Sequence, residues 1–177
     1  KNNESELQHI AIDAIGCQKQ IAKQIIDQKG HYCLAVKTNQ LLLYEEIKEY
    51  FSYAEKEEAE KLSTYETLEK NHGRIEKRKY WISSDIGYLT GKEKWKNLKT
   101  IGKVESIRKM DEKRSFETRY YILNQEMTAE EMSRIVRGNW GIENNLHWVL
   151  DVHFQEDACK IKAEKAMQNL SLIRNIC

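Results

Sequence analysis

The sequence predicts an α/β fold, a mixed sheet with flanking helices interrupted by a β-rich insertion. Three observations carry this. Two short apolar runs, "HIAI" and "HYCLAV", bracket the helix-like stretch "GCQKQIAKQIIDQK". Residues 63–124 then turn to aromatic and β-branched runs with polar breaks, the composition of strands. The last third returns to apolar spacing of three and four. The boundaries that follow are 1–62 for an α/β unit, 63–124 for the insertion and 125–177 for the closing helices.

In the first unit, Ile21, Ala22, Ile25 and Ile26 share one helical face, and Gly30 stands where a C′ glycine ends a helix. Two buried-type strands joined by a helix pair in parallel through a right-handed crossover. Asp13 then lies at the carboxyl end of the first strand, the edge where open α/β sheets bind ligands. An Asp before a helix is equally a capping residue, and both readings stand on this pattern alone. Residues 41–62 read as a helix with Leu42, Leu43, Ile47, Tyr50 and Phe51 apolar.

Within the insertion, "RKYWISSD", "IGKVESIRKM" and "RSFETRYYILN" read as strands, while "WKNLKT" fits no pattern clearly. In the last third, Thr128 with Glu131 forms a capping box. A helix follows with Met132, Ile135 and Val136 on one face, and "GNWG" at Gly138–Gly141 predicts a break or kink before a second stripe of Ile142, Leu146, Val149 and Leu150.

Composition bounds the function. At 177 residues the chain supports one good core and at most two small domains. No apolar run approaches the roughly 20 residues of a membrane-spanning helix. No signal peptide is visible, and the first residue is Lys1, so the chain reads as a piece of a longer or processed one. Cys17, Cys33, Cys159 and Cys177 form no C-x-x-C pair, which points to free thiols and a cytoplasmic setting. The chain has no Pro, for which we have no functional account. Net charge is only +1, but residues 40–69 carry three Lys and nine Glu, whereas residues 70–119 carry 15 Lys and Arg against seven Asp and Glu. A basic segment of this kind is either a phosphate footprint or a solvated strand face.

The densest chemistry is "RGNWGIENNLHWVLDVHFQED", where Glu143, His147 and Asp151 recur every four residues and share one helix face. This row could present a carboxylate to a site at a sheet edge or simply face water. With His153 it could also ligate zinc or iron, although the spacing matches neither H-E-x-x-H nor the di-iron pattern.

The segments "IAIDAIGCQKQIA", "YCLAVKTNQ", "HGRIEKRKYWI", "RYYILN" and "RGNWGIENNLHWVLDVHFQED" resemble, in order, those of the H-repeat-associated insertion-sequence transposases. The likeness runs from about Ile10 to the C-terminus. It implies a DDE transposase with an RNase H-like fold, partial here, in which a β-rich insertion precedes the C-terminal catalytic helix. Such enzymes bind two divalent ions, normally Mg²⁺ with Mn²⁺ as a substitute, and cut DNA at the element's ends. Asp13 matches the second acid of the triad and Glu143 the third, so both are expected as catalytic residues and metal ligands. The implied partners are the terminal repeats and target DNA, and a homo-oligomer fits the same picture.

The departures are specific. The family's first acid lies on a strand well upstream of "IDAIGCQ", and Glu4 and Glu6 follow no apolar strand of their own, so this acid is expected to be missing. Related enzymes carry a Lys seven residues after the final Glu, where this chain has Leu150. In "HGRIEKRKYW", alternation puts Arg74, Glu76 and Arg78 on one strand face. The resemblance makes Arg74 and Arg78 candidate DNA contacts, with a salt-bridged face as the other reading. Arg137 is expected to touch phosphate or pair with Glu143, and His147 to reach phosphate or a metal-bound water, with simple packing on the helix face as its other reading. Trp140 and Trp148 read as packing residues. Two other classes stay open, a non-catalytic DNA-binding remnant and a metallohydrolase unrelated to DNA.

Overall fold

The computed structural model describes residues 9–12, 16–71, 74–110 and 113–142. The chain divides into two compact units, residues 1–136 and 137–177. Six strands form one mixed sheet in the order β1-β2-β6-β5-β4-β3. They are β1 (His9–Ile12), β2 (His31–Val36), β3 (Ser63–Asn71), β4 (Arg74–Ser83), β5 (Thr100–Met110) and β6 (Lys113–Leu123). The helices are α1 (Lys19–Asp27), α2 (Leu41–Glu57) and α3 (Ala129–Ile142).

The expected β-α-β start is present, with β1 and β2 parallel in the register Ile12↔Leu34. All other pairings are antiparallel. The strands of residues 63–124 do not build a separate layer. β6 pairs with β2 through Val36↔Tyr120 and Leu34↔Ile122, so the β-rich segment extends the same sheet. Only the last four residues of β6 make that pairing. Its first seven, Lys113–Arg119, run past the end of β2 and pair with β5 alone among the described residues.

One face of the sheet carries Leu34, Val36, Trp81, Ile101, Tyr120 and Ile122, which pack with Ala22 and Ile25 of α1 and with Leu43, Ile47, Phe51 and Ala54 of α2 in one core. Leu34, Ile47, Phe51, Ile101 and Ile122 are wholly buried; each such side chain contributes about 1.5–3 kcal/mol. Tyr50 and Ser83 hydroxyls meet at 2.6 Å beneath α2. Leu42, expected in this core, is exposed because it falls beside rather than on the buried stripe.

The other face is closed by α3. Its capping box forms as predicted, with the Glu131 amide donating to Thr128 Oγ1 and the Thr128 amide to the Glu131 carboxylate. Met132 lies fully buried over Gly102, where a Cβ would meet Met132 Sδ at 2.5 Å. Of the break or kink expected at Gly138–Gly141, the break is absent, since α3 runs through to Ile142. Each of its two glycines is a modest helix penalty rather than a stop.

The end of α1 also departs from expectation. The Gly30 amide donates to Ile25 O and the Lys29 amide to Ile26 O, a Schellman pair. That places Lys29, at φ 61°, in the left-handed C′ position and Gly30 one residue later. At the start of β2 the Tyr32 amide donates to Asn124 Oδ1 at 2.7 Å, which leaves Asn124 Nδ2 as the donor to His31 Nδ1 at 3.0 Å. His31 therefore accepts at Nδ1.

Candidate active-site edge

The parallel β1–β2 pair has one carboxyl edge. β1 ends at Ile12, level with Leu34, two residues short of the end of β2. Beyond β2 the chain turns through a 3₁₀ segment, Thr38–Gln40. Gln40 Nε2 donates to Cys17 O at 3.0 Å, tying this turn to the approach to α1. Cys17 itself is buried, and burial pushes its thiol up to about 12.

On the same end of β2 lies a cavity of about 250 Å³ lined by Ala35, Val36, Lys37, Thr38, Tyr44, Glu117, Thr118 and Arg119. Its wall is the stretch of β6 that outruns β2. Arg119 Nε donates to Glu117 at 2.7 Å. Tyr44 packs edge-on against Tyr120, ring centroids 5.3 Å apart, which fixes the floor. Hydroxyl, cation and carboxylate groups thus converge at a sheet edge, suited to a polar ligand.

The residues singled out from sequence fare differently. Asp13, Glu143 and His147 lie outside the described residues, as do Asp151, His153 and Trp148. Arg74 begins β4, opposite Asn71 and Met110. Arg137 is an exposed residue of α3. Arg78 is buried, as is Glu76. Arg78 Nη2 and Arg108 Nε both reach Glu76 Oε1 at 2.8 Å, and Arg78 Nη1 lies 3.8 Å from Glu69. Alternation placed Glu76 and Arg78 on one face correctly, and that face is a salt-bridged ladder of three strands.

A second buried cation was not anticipated. Lys103 sits between Trp81 and Tyr120 in the register of β4, β5 and β6. It bonds Glu55 of α2 at 2.5 Å and Glu105 at 2.6 Å, and its ammonium lies 4.5 Å from the Trp81 ring centroid. Burial opposes its charge, but the two carboxylates outweigh burial and hold the ammonium above its ordinary range. The signal available in sequence was "GKVE" inside an apolar strand, where a Lys on the core face needs a carboxylate partner.

Comparison with known proteins adds the family. The model of the family described as "Transposase DDE domain" matches residues 2–177. This chain belongs to that family. It is 39% identical over 171 residues to "Putative transposase YncI" of Escherichia coli O157:H7, covering 94% of this chain and 44% of that protein. It is 38% identical over 172 residues to "H repeat-associated putative transposase YhhI" of Escherichia coli K12, covering 94% of this chain and 45% of that one. The chain thus spans under half the length of these relatives. No solved structure matches it. The DDE match agrees with the ordered resemblance read from the sequence, and the mixed α/β sheet agrees with the expected fold class.

Proposed function

We propose that this chain is part of the catalytic domain of an RNase H-like DNA transposase that cleaves and joins phosphodiesters at insertion-sequence ends. The observation that supports this most is the parallel β1–β2 edge: Asp13 directly follows Ile12, the last residue of β1, in a chain matched by the DDE family over residues 2–177. Asp13 and Glu143 are the carboxylates assigned to metal binding and catalysis. Hard carboxylate oxygens are what Mg²⁺ accepts, and Mn²⁺ shares that preference. A bound metal pair would supply charge stabilisation on the attacking and leaving oxygens of an in-line displacement. The first acid belongs to sequence upstream of "IDAIGCQ".

In this reading residues 1–62 and 125–177 contribute the catalytic core and residues 63–124 the insertion. Arg74, Arg137 and His147 are assigned to DNA. Arg78, whose guanidinium is committed to Glu76, is assigned to holding the strand ladder beside them. Terminal-repeat and target DNA are the partners and the cytoplasm the setting. No helix among the described residues is long and apolar enough to cross a membrane.

Convergence of the two carboxylates is testable directly. Fe²⁺ bound in place of Mg²⁺, with ascorbate and peroxide, should cut the backbone beside both Asp13 and Glu143. Excess Mg²⁺ should suppress both cuts, and Asp13→Asn should weaken both. Scission at neither position, or at one alone, refutes a shared metal site.

A further inference from the structure

Among the described residues, Lys113–Arg119, the first seven residues of β6, pair with β5 alone and form a strand edge, and Lys113 through Thr118 are exposed on both faces. Phe116 is 71% exposed and stands directly opposite the exposed Ile107. An open edge is a template for another strand; this one carries Phe116 among Lys113, Arg114, Glu117 and Arg119, so its charges decide which strand can pair with it.

The sequence of this edge selects its occupant. In a two-fold antiparallel pairing, residues opposite one another share a sheet face, so the symmetry axis must pass through a residue. An axis at Arg114 sets two guanidinium groups face to face, and one at Glu117 sets two carboxylates face to face. An axis at Phe116 opposes Lys113 to Arg119. An axis at Thr118 would oppose Phe116 to Tyr120, which already pairs with Val36 of β2. Within the stretch beyond β2, an axis at Ser115 avoids every like-charge pair: Lys113 faces the partner copy's Glu117, and Arg114 lies opposite the partner copy's Phe116. Ion pairs and cation–π contacts of this kind are the stabilising units of strand pairing. Glu117 keeps one carboxylate oxygen for this contact, since Arg119 Nε engages Oε1.

We propose that two copies of this chain associate through β6, antiparallel and centred on Ser115, joining their sheets into one. The proposal makes no use of Asp13 or Glu143 and stands whether or not those residues are catalytic. β2 ends beside Tyr120, so the five residues Lys113–Glu117 are free to pair without displacing it.

The register can be tested residue by residue. In a chain with Cys159 and Cys177 changed to Ser, Ser115→Cys should form an inter-chain disulfide under mild oxidation, because cross-strand Cα separations of about 4.5–5.5 Å suit one. Arg114→Cys, which does not face itself, should crosslink far less. By sedimentation, Lys113→Glu and Glu117→Lys should each weaken association about tenfold, two like-charge pairs arising per dimer. The double exchange should restore it to within about threefold of the original. All these positions are exposed, so folding is little affected. A chain that stays monomeric through the high micromolar range overturns the proposal. So does equal crosslinking at both cysteine positions, or a double exchange as weak as either single one.

Discussion

Glu69 and Glu76 stand directly opposite one another across β3 and β4, and Arg78, one pleat along on the same face, lies between their charges. Two facing carboxylates destabilise a sheet unless a cation intervenes. Glu76 is 2% exposed, so solvent cannot supply that cation. Arg108 reaches Glu76 from β5. Losing Arg78 would therefore leave Glu76 half-compensated and Glu69 without this partner. Arg78→Met should cost about 2–3 kcal/mol, below the full penalty for a broken buried pair because Arg108 stays. Urea unfolding measures it, and combining Arg78→Met with Glu76→Leu should cost less than the two changes summed. If Arg78→Met instead leaves stability intact and weakens DNA binding, the residue serves DNA and not the ladder.

Gly102 and Met132 make a second coupled pair. An added Cβ would come within 2.5 Å of both Met132 Sδ and Cε, and Met132 is fully enclosed, so its tip has no open space to enter. Gly102→Ala should destabilise by about 1–3 kcal/mol through overpacking. Met132→Ala alone should cost about 2–5 kcal/mol by leaving a void. Together they should be well short of additive, because the new methyl fills part of that void. Full additivity in thermal or urea unfolding would mean that α3 does not pack over Gly102.

Local periodicity made much of the fold legible. The β-α-β start, the capping box at Thr128 and three of the four strands between residues 63 and 124 follow from side-chain spacing alone. The strand "STYETLEKN" was harder to read as a strand of its own because it is an edge, polar on both faces. The continuity of the sheet was hidden for a different reason. Whether β6 joins β2 or closes on β3 depends on pairing between distant residues such as Leu34 and Ile122, which no local pattern encodes. Lys29 illustrates a third limit. Gly30 looked like the left-handed residue, yet hydrogen bonds to Ile25 and Ile26 put Lys29 there. At the site, the charge of Arg78 was legible, but its burial was not. A run such as "RIEKRK" looks the same whether its cations meet phosphates or their own carboxylates.

The buried thiols make the chain sensitive to alkali. Burial pushes Cys17 and Cys33 each up to about 12, from the ordinary 9.0. A folded-state value raised above the unfolded one means the folded chain holds its proton more tightly. The resulting stability is complete below pH 9 and is lost as pH rises from about 9 towards 12, each thiol contributing a slope of up to roughly 1.4 kcal/mol per pH unit. The buried Tyr32 and Tyr121 phenols, also raised by burial, act in the same direction at higher pH. Unfolding midpoints should fall across that window. At pH 8, an aromatic disulfide reagent with peptide mapping should modify Cys17 and Cys33 only in denaturant. Prompt labelling of either in the native chain would show that it is not enclosed.

The assignment of Asp13 and Glu143 makes its own prediction about cleavage. Two carboxylates bind one metal pair jointly, so removing either should abolish chemistry rather than halve it, and the effects should not add. In a longer relative carrying the same segments, the changes equivalent to Asp13→Asn and Glu143→Gln should each lower Mg²⁺-dependent nicking of terminal-repeat DNA by at least about a thousandfold, and the double change should be no worse than the more severe single one. DNA affinity should change little, since phosphate contacts by Lys and Arg dominate it; those contacts instead predict a steep fall in affinity with salt. On the proposed assignment, which puts the first acid of the triad upstream of "IDAIGCQ", this chain alone should bind such DNA without nicking it. Robust cleavage by this chain, lost on Glu143→Gln, would show that its own residues complete the site. Cleavage untouched by Glu143→Gln in either protein would remove the catalytic role assigned to Glu143.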